Sequence, residues 1–418
     1  MPESSVRNIV KLPTLSRAVQ PKMARELLLR LFRNIRVGTL TLRDGDEVFT
    51  LGDDERHESP HAHVDIHDGR TYWRILTGGT IASGEAYIDG EWSSRDLTEV
   101  TRLFSANMET MMAMKDKQSW IMQLGLKLAH FGRRNTETGS KANIAAHYDL
   151  GNSFFELFLD PTMMYSSAAY PSASATLDEA AVHKLELICQ SLELKPEDEL
   201  IEIGTGWGGM AMYAARNYGC NVTTTTISKE QYEHTLKVVK AEGLENQITV
   251  LCQDYRQLEG TFDKLVSIEM IEAVGHEFYE SYFRCVSKLL KPTGKAVIQA
   301  ITIPDQRYDF ARQSVDYIKR YIFPGGCLPS LRVISENLAK HTDLQITQLR
   351  DITLDYARTL EAWHHSFLEQ TERVKEMGFD DRFIRMWRFY LSYCEGGFRE
   401  RIIGTFQITM AKPGYRPE

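Results

Sequence analysis

Apolar positions change their period twice along this chain. Over 21–37 (PKMARELLLRLFRNIRV), Leu27, Leu28, Leu31, Phe32 and Ile35 recur at helical spacing while Lys22, Arg25, Arg33 and Arg36 fall largely outside the stripe, which predicts a basic amphipathic helix. Short alternating runs at 38–42, 47–51, 63–66 and 74–76, broken by Asp-Gly and Gly-Gly pairs, predict strands of a small β-containing domain. Helical patterns cover 97–114 and 119–131, and the polar stretch 132–142 (GRRNTETGSKA) is the expected boundary. It divides the chain into an α+β domain of residues 1–135 and a larger domain of residues 136–418. In the larger part, strand-like runs at 199–203, 221–226, 248–251, 264–268, 295–303, 344–349 and 405–410 alternate with helical segments. That alternation predicts a parallel, doubly wound α/β sheet. Residues 305–334 mix Tyr308, Phe310, Tyr317, Ile318, Tyr321, Ile322 and Phe323 ahead of Pro324-Gly325-Gly326, as a helical cap inserted after the fifth strand would.

Composition narrows the function classes. With 418 residues, 43% of them hydrophobic and 25% charged, the chain is long enough for two cores, and its net charge of -8 argues against a dedicated nucleic-acid binder. Residues 1–36 carry eight Lys or Arg against two Glu, a local excess that favours an anionic lipid surface, so the domain of residues 1–135 is expected to associate with lipid or membrane. A helix packed on its own domain would show the same stripe. No run reaches the ~18 apolar residues needed to span a bilayer, so any membrane contact is expected to be peripheral. Cys189, Cys220, Cys252, Cys285, Cys327 and Cys394 form no CxxC pair, which fits a reducing cytosol. His57, His61, His63 and His67 cluster in and around the early strands, where solvated histidines are commoner than metal ligands, and no metal is expected.

The sharpest local signal is 200–209, LIEIGTGWGG, a strand running into a glycine-rich turn and then a helix. A nicotinamide-binding fold would put a carboxylate at the end of the second strand, but here that strand ends Thr223-Thr224-Thr225-Thr226-Ile227-Ser228. The acid instead precedes the turn as Glu202. Cys252-Gln253-Asp254-Tyr255-Arg256 closes the third strand, where an adenine would stack and be edged. Together these favour S-adenosylmethionine over a dinucleotide. Ser228 and Gln231 form an S-x-x-Q capping box, a role compatible with ligand binding at the same strand end.

Ahead of the sheet stand His147-Tyr148-Asp149-Leu150-Gly151-Asn152 and Met163-Met164-Tyr165-Ser166-Ser167-Ala168-Ala169-Tyr170. With 202–209, 226–231, 267–275 (SIEMIEAVG), 321–330 (YIFPGGCLPS), 355–360 around Tyr356 and 390–398, they form an ordered set spanning 142–410. As a set, this resembles the cyclopropane-fatty-acid and mycolic-acid cyclopropane synthases. The resemblance implies a class I S-adenosylmethionine methyltransferase fold, a Rossmann-like sheet with a helical acyl-binding cap and a small N-terminal domain. It implies that Tyr165, Ser166, Gly204, Gly206, Gly208, Thr226, Ser228, Gln231, Tyr255 and Arg256 hold the cosubstrate, beside Glu202. It also implies a bicarbonate ion at Ser167, Glu272, Gln299, Ile301 and Tyr356, where serine and glutamine stand in for the family's cysteine and histidine. Neither can carry a positive charge, so a weaker anion site is expected. Cys394 lies where a nucleophile was once assigned in the family.

An isolated alkene needs no deprotonation to attack a sulfonium methyl, so alignment is expected to dominate the first step. The resulting carbocation needs shielding from water, with Tyr356, Tyr317 and Glu272 as candidates, and ring closure needs a base. Because alkene methylation needs no covalent enzyme intermediate, Cys394 is expected to be structural. The expected activity is cyclopropanation of unsaturated phospholipid acyl chains by a cytoplasmic, peripherally membrane-bound homodimer. Methyl transfer without ring closure is the alternative, and a non-catalytic lipid- or nucleotide-binding protein a more distant one.

Overall fold

The structure, a computed structural model, describes residues 19–54, 56–108 and 150–417. The predicted helix at 119–131, the predicted boundary at 132–142 and residues 1–18 of the basic N-terminal run lie outside these residues.

The N-terminal domain is a four-stranded sheet, β1 (Thr39–Asp44), β2 (Glu47–Leu51), β3 (His61–Ile66) and β4 (Trp92–Ser93), in the order β2-β1-β3-β4. Leu40 and Leu42 on β1 pair in register with Ala62 and Val64 on β3, so the alternation read from the sequence buries one face. The first helix, Val19–Phe32, lies against the helix Arg70–Ile88 with Ala24, Leu28 and Phe32 buried, whereas Met23 and Leu27 remain exposed. Most of the apolar stripe therefore serves the domain's own core. Residues 74–76 are helical, not a strand. The Gly78-Gly79 pair, read as a turn, instead bends one helix at Gly79, whose φ of 60° would strain a side-chain-bearing residue.

The large domain carries β5 (Glu199–Ile203), β6 (Asn221–Thr226), β7 (Ile248–Cys252), β8 (Phe262–Ile268), β9 (Leu290–Thr302), β10 (Gln345–Asp351) and β11 (Gly404–Ala411) in the order β10-β11-β9-β8-β5-β6-β7. The predicted strand runs all form: β5, β9 and β11 are mostly buried, as strands covered on both faces are, whereas β10 at the sheet edge is exposed at almost every residue. The sheet is mixed, not all parallel: β11 runs antiparallel to both β9 and β10. The chain leaves the helix Asp381–Arg399 through a tight turn at Arg401 (φ 52°) and inserts β11 between the two by direct return, without a crossover.

That helix also seats the N-terminal domain. A Cβ built on Gly396 would fall 2.3 Å from Thr101 Oγ1, so the helices Leu97–Ala106 and Asp381–Arg399 meet nearly backbone to backbone. Thr98 Oγ1 donates to Glu395 (2.9 Å) and Thr101 Oγ1 to the Ser392 carbonyl (2.6 Å) across the buried contact. Two cap helices, Asp305–Gln313 and Tyr317–Tyr321, follow β9, and Tyr321 donates to Glu85 on the N-terminal domain (2.5 Å).

Candidate active site

Three glycines shape the turn after β5. Gly204 (φ 102°), Gly206 (φ 53°) and Gly208 (φ 93°) all sit at positive φ, and a Cβ on Gly208 would meet Thr235 Cγ2 at 2.9 Å. At Gly206 it would meet nothing within 4 Å, which leaves open space for a ligand close to the backbone. Glu202 is buried just before the turn, accepting from Thr224 Oγ1 (2.6 Å), and burial pushes its pKa up to about 8. At the end of β6, Thr226 Oγ1 donates to Gln231 Oε1 (2.8 Å), and the Gln231 N–H donates to Ser228 Oγ (3.3 Å), the predicted helix cap. At the end of β7, Arg256 grips the buried Asp254 through two nitrogens (2.8 and 2.6 Å) and lies over the rings of Tyr255 and Phe278. Both strand ends open on one cavity.

The cavity, of about 540 Å³, runs from these strand ends past Tyr165, Glu269, Glu272 and Tyr356 to the apolar interior of the N-terminal domain, including Leu40, Val64 and Phe104. Tyr165 is tied to Tyr390 hydroxyl to hydroxyl (2.8 Å), and Tyr356 stacks on Phe398 with ring centroids 4.4 Å apart. These four aromatic residues all reach the cavity except that the wall is reinforced behind by Trp363, against which Tyr165 and Tyr356 pack. Tyr317, expected to shield a cation, does not line the cavity: its hydroxyl donates to the Met386 carbonyl (3.0 Å) and its ring fills the space over Gly84. Cys394 does reach the wall, where burial raises its thiol pKa and keeps it protonated.

The five residues implied as an anion site do converge, but around a side chain that the sequence reading passed over. Glu269 accepts from the Ser167 N–H (2.9 Å) and Gln299 Nε2 (2.8 Å) on one oxygen and from the Tyr356 hydroxyl (2.8 Å) on the other. Gln299 also donates to the Ser167 carbonyl (3.1 Å) and accepts from Gln407 (3.1 Å), so both of its N–H donors are engaged. The remaining donor, the Ile301 N–H, is taken by Glu272 Oε1, and Glu272 Oε2 is buried without a partner. Burial, and then the Glu269 charge, push the Glu272 pKa up to about 8. Fully buried Lys184 donates to Ser166 Oγ (2.8 Å); burial lowers its pKa to about 8 against the raising effect of Glu269, Asp160 and Glu202. Glu269 and Lys184 were both missed. The visible clue to Glu269 was two carboxylates three residues apart, at the end of an apolar strand, in SIEMIEAVG.

The residues present fit S-adenosylmethionine. Tyr165, Ser166, Glu202, Gly204, Gly206, Thr226, Gln231, Tyr255 and Arg256 line the cavity and would hold it, whereas Gly208, which shapes the turn, and Ser228, which caps the following helix, do not line it. Bicarbonate does not fit. The Ser167, Gln299, Tyr356 and Ile301 donors that would anchor it are bonded to Glu269 or Glu272, the Ser167 hydroxyl donates to the Ala168 carbonyl (2.8 Å), and an added anion would be opposed by the charge on Glu269.

The family model for mycolic acid cyclopropane synthetase matches residues 135–408. The chain is 36% identical over 358 residues to a cyclopropane-fatty-acyl-phospholipid synthase of Escherichia coli, covering 85% of this chain and 89% of the relative. It is 35% identical over 348 residues to a tuberculostearic acid methyltransferase of Mycobacterium tuberculosis, covering 82% of this chain and 81% of the relative. Among solved structures, a mycolic acid cyclopropane synthase complexed with SAH and CTAB superposes with a TM-score of 0.61 at 32% identity, covering 65% of this chain and 98% of that one. With the glycine turn, the strand-end residues and the cavity in the same chain, these likenesses establish that the protein belongs to the cyclopropane fatty acid and mycolic acid synthase family of S-adenosylmethionine-dependent lipid methyltransferases.

Proposed function

We propose that the protein transfers the methyl carbon of S-adenosylmethionine to the double bond of an unsaturated phospholipid acyl chain and closes a cyclopropane ring. The observation that carries this reading is the cavity, which joins the glycine turn to an apolar interior in the N-terminal domain and has carboxylates and tyrosines at the junction. An extended hydrocarbon chain fits such a space, with its double bond at the junction. The aromatic faces of Tyr165, Tyr356 and Phe398 would stabilise the cation left after methyl transfer, and the same packing would exclude water.

Phospholipid as the substrate is supported by the name of the Escherichia coli relative and by the basic residues among 1–36. Exposed Met23 and Leu27 on the first helix are suited to peripheral contact with the inner face of a membrane. No described helix is long and apolar enough to cross one. A cytoplasmic homodimer completes the reading, by family resemblance. A second reading, methyl transfer without ring closure, is favoured by the rebuilt anion site, since Ser167 and Gln299 depart from the residues that the resemblance implies. Lipid mass spectrometry of a host expressing the chain tests both. The first predicts acyl chains heavier by one methylene and resistant to hydrogenation; hydrogenation-sensitive or simply branched products would favour the second. Unmodified lipids would contradict both.

A further inference from the structure

We propose that Glu269 is the proton acceptor of the reaction, a base built into the chain so that turnover requires no bicarbonate or other free anion. The inference rests on the proposed methyl transfer and names the group that completes it.

Four observations support Glu269. Its carboxylate faces the cavity at the junction between the glycine turn and the apolar interior. It receives three hydrogen bonds, from Ser167, Gln299 and Tyr356. A carboxylate offers about four acceptor positions. One therefore remains for a proton from substrate. Third, of the two neighbouring carboxylates only Glu269 is surrounded by donors: Glu272 has one backbone N–H and an unpartnered oxygen, so a single shared negative charge resides on Glu269 and Glu272 holds the proton. Buried Lys184 stands nearby as a counter-charge. Fourth, Glu269 occupies the left-handed backbone region (φ 48°), which strains a residue that carries a Cβ. Strain of that kind persists where the surrounding structure enforces it, often at sites of function.

The chemistry balances with groups already present. The alkene π pair forms a carbon–carbon bond to the transferred methyl as the carbon–sulfur bond breaks, and its electron pair stays on sulfur. The adjacent carbon becomes the cation. A C–H bond of the former methyl then breaks, its proton passing to the Glu269 carboxylate and its electron pair closing the ring onto the cationic carbon. No net oxidation state changes beyond the methyl transfer, and the proton leaves Glu269 for solvent after product release.

The test uses purified full-length protein, S-adenosylmethionine and vesicles of dioleoylphosphatidylglycerol, in buffer stripped of carbon dioxide and in the same buffer with added bicarbonate. The expected result is equal turnover of the parent in both buffers. Glu269→Gln should lose about a hundredfold in methylated-lipid formation while S-adenosylmethionine affinity by calorimetry is retained. Glu269→Gly should be inactive in stripped buffer and recover with bicarbonate, which would occupy the vacated donors. A parent that stops in stripped buffer would overturn the proposal without any variant, as would a Glu269→Gln protein as active as the parent. A parent that methylates no lipid in either buffer would instead overturn the functional reading, and this proposal with it.

Discussion

Glu269 and Glu272 lie three residues apart at the end of β8, inside one cavity wall, and their surroundings accommodate one negative charge better than two. A pH dependence follows. Glu272 keeps its proton in the folded protein up to about 8, whereas in the unfolded chain it releases it near the ordinary value of 4.5. The folded state is thus favoured at low pH, and this contribution is lost as pH rises through that window. Buried Glu202, also raised to about 8, acts in the same direction. His364, pushed down to about 4 by burial, opposes them only below its ordinary 6.5. The melting temperature should therefore fall between pH 6.5 and 8, and Glu272→Gln, neutral throughout, should flatten that fall. An unchanged slope in the variant would refute the assignment of the proton. At this scale the sequence was only partly legible. The positions of Ser167, Glu272, Gln299, Ile301 and Tyr356 were found by resemblance, but a motif marks where ligands bind and does not reveal that a neighbouring side chain has taken the ligand's place.

Elements were easier to read than residues. Apart from β6 (NVTTTT), carried by β-branched residues, and the exposed edge strand β10 (QITQLRD), the large-domain strands are mostly apolar runs, so their existence follows from burial. The direction of β11 does not, because an antiparallel strand covered on both faces carries the same pattern as a parallel one. The run 74–76 failed for a related reason: three apolar residues before a Gly-Gly pair fit a strand and turn as well as a helix bent at Gly79. Between the domains, the close approach at Gly396 is an element-level constraint. Gly396→Ala should destabilise the protein by about 2 kcal/mol, because the new methyl must displace Thr101 and the helix that carries it. Denaturant unfolding measures this; a loss indistinguishable from zero would mean that the two helices are not seated as described.

At the scale of the whole molecule, the cavity ties the two domains into one site. The sequence reading treated the N-terminal domain as a means of meeting the membrane, whereas its core residues Leu40, Leu42, Val64 and Phe104 also line the cavity beyond the reactive junction. Residues on separate elements acquire such a shared role only through the fold, and no local pattern announces it. The central claim is that a carbon leaves S-adenosylmethionine for an acyl double bond and then gives up a proton to the protein. Mass spectrometry of phospholipid acyl chains, after incubation of the purified protein with S-adenosylmethionine carrying a trideuterated methyl, tests it most directly. The account predicts labelled acyl chains that retain two deuterium atoms in a ring. Retention of all three would show that the proton came from elsewhere on the chain, and unlabelled acyl chains would contradict the transfer itself.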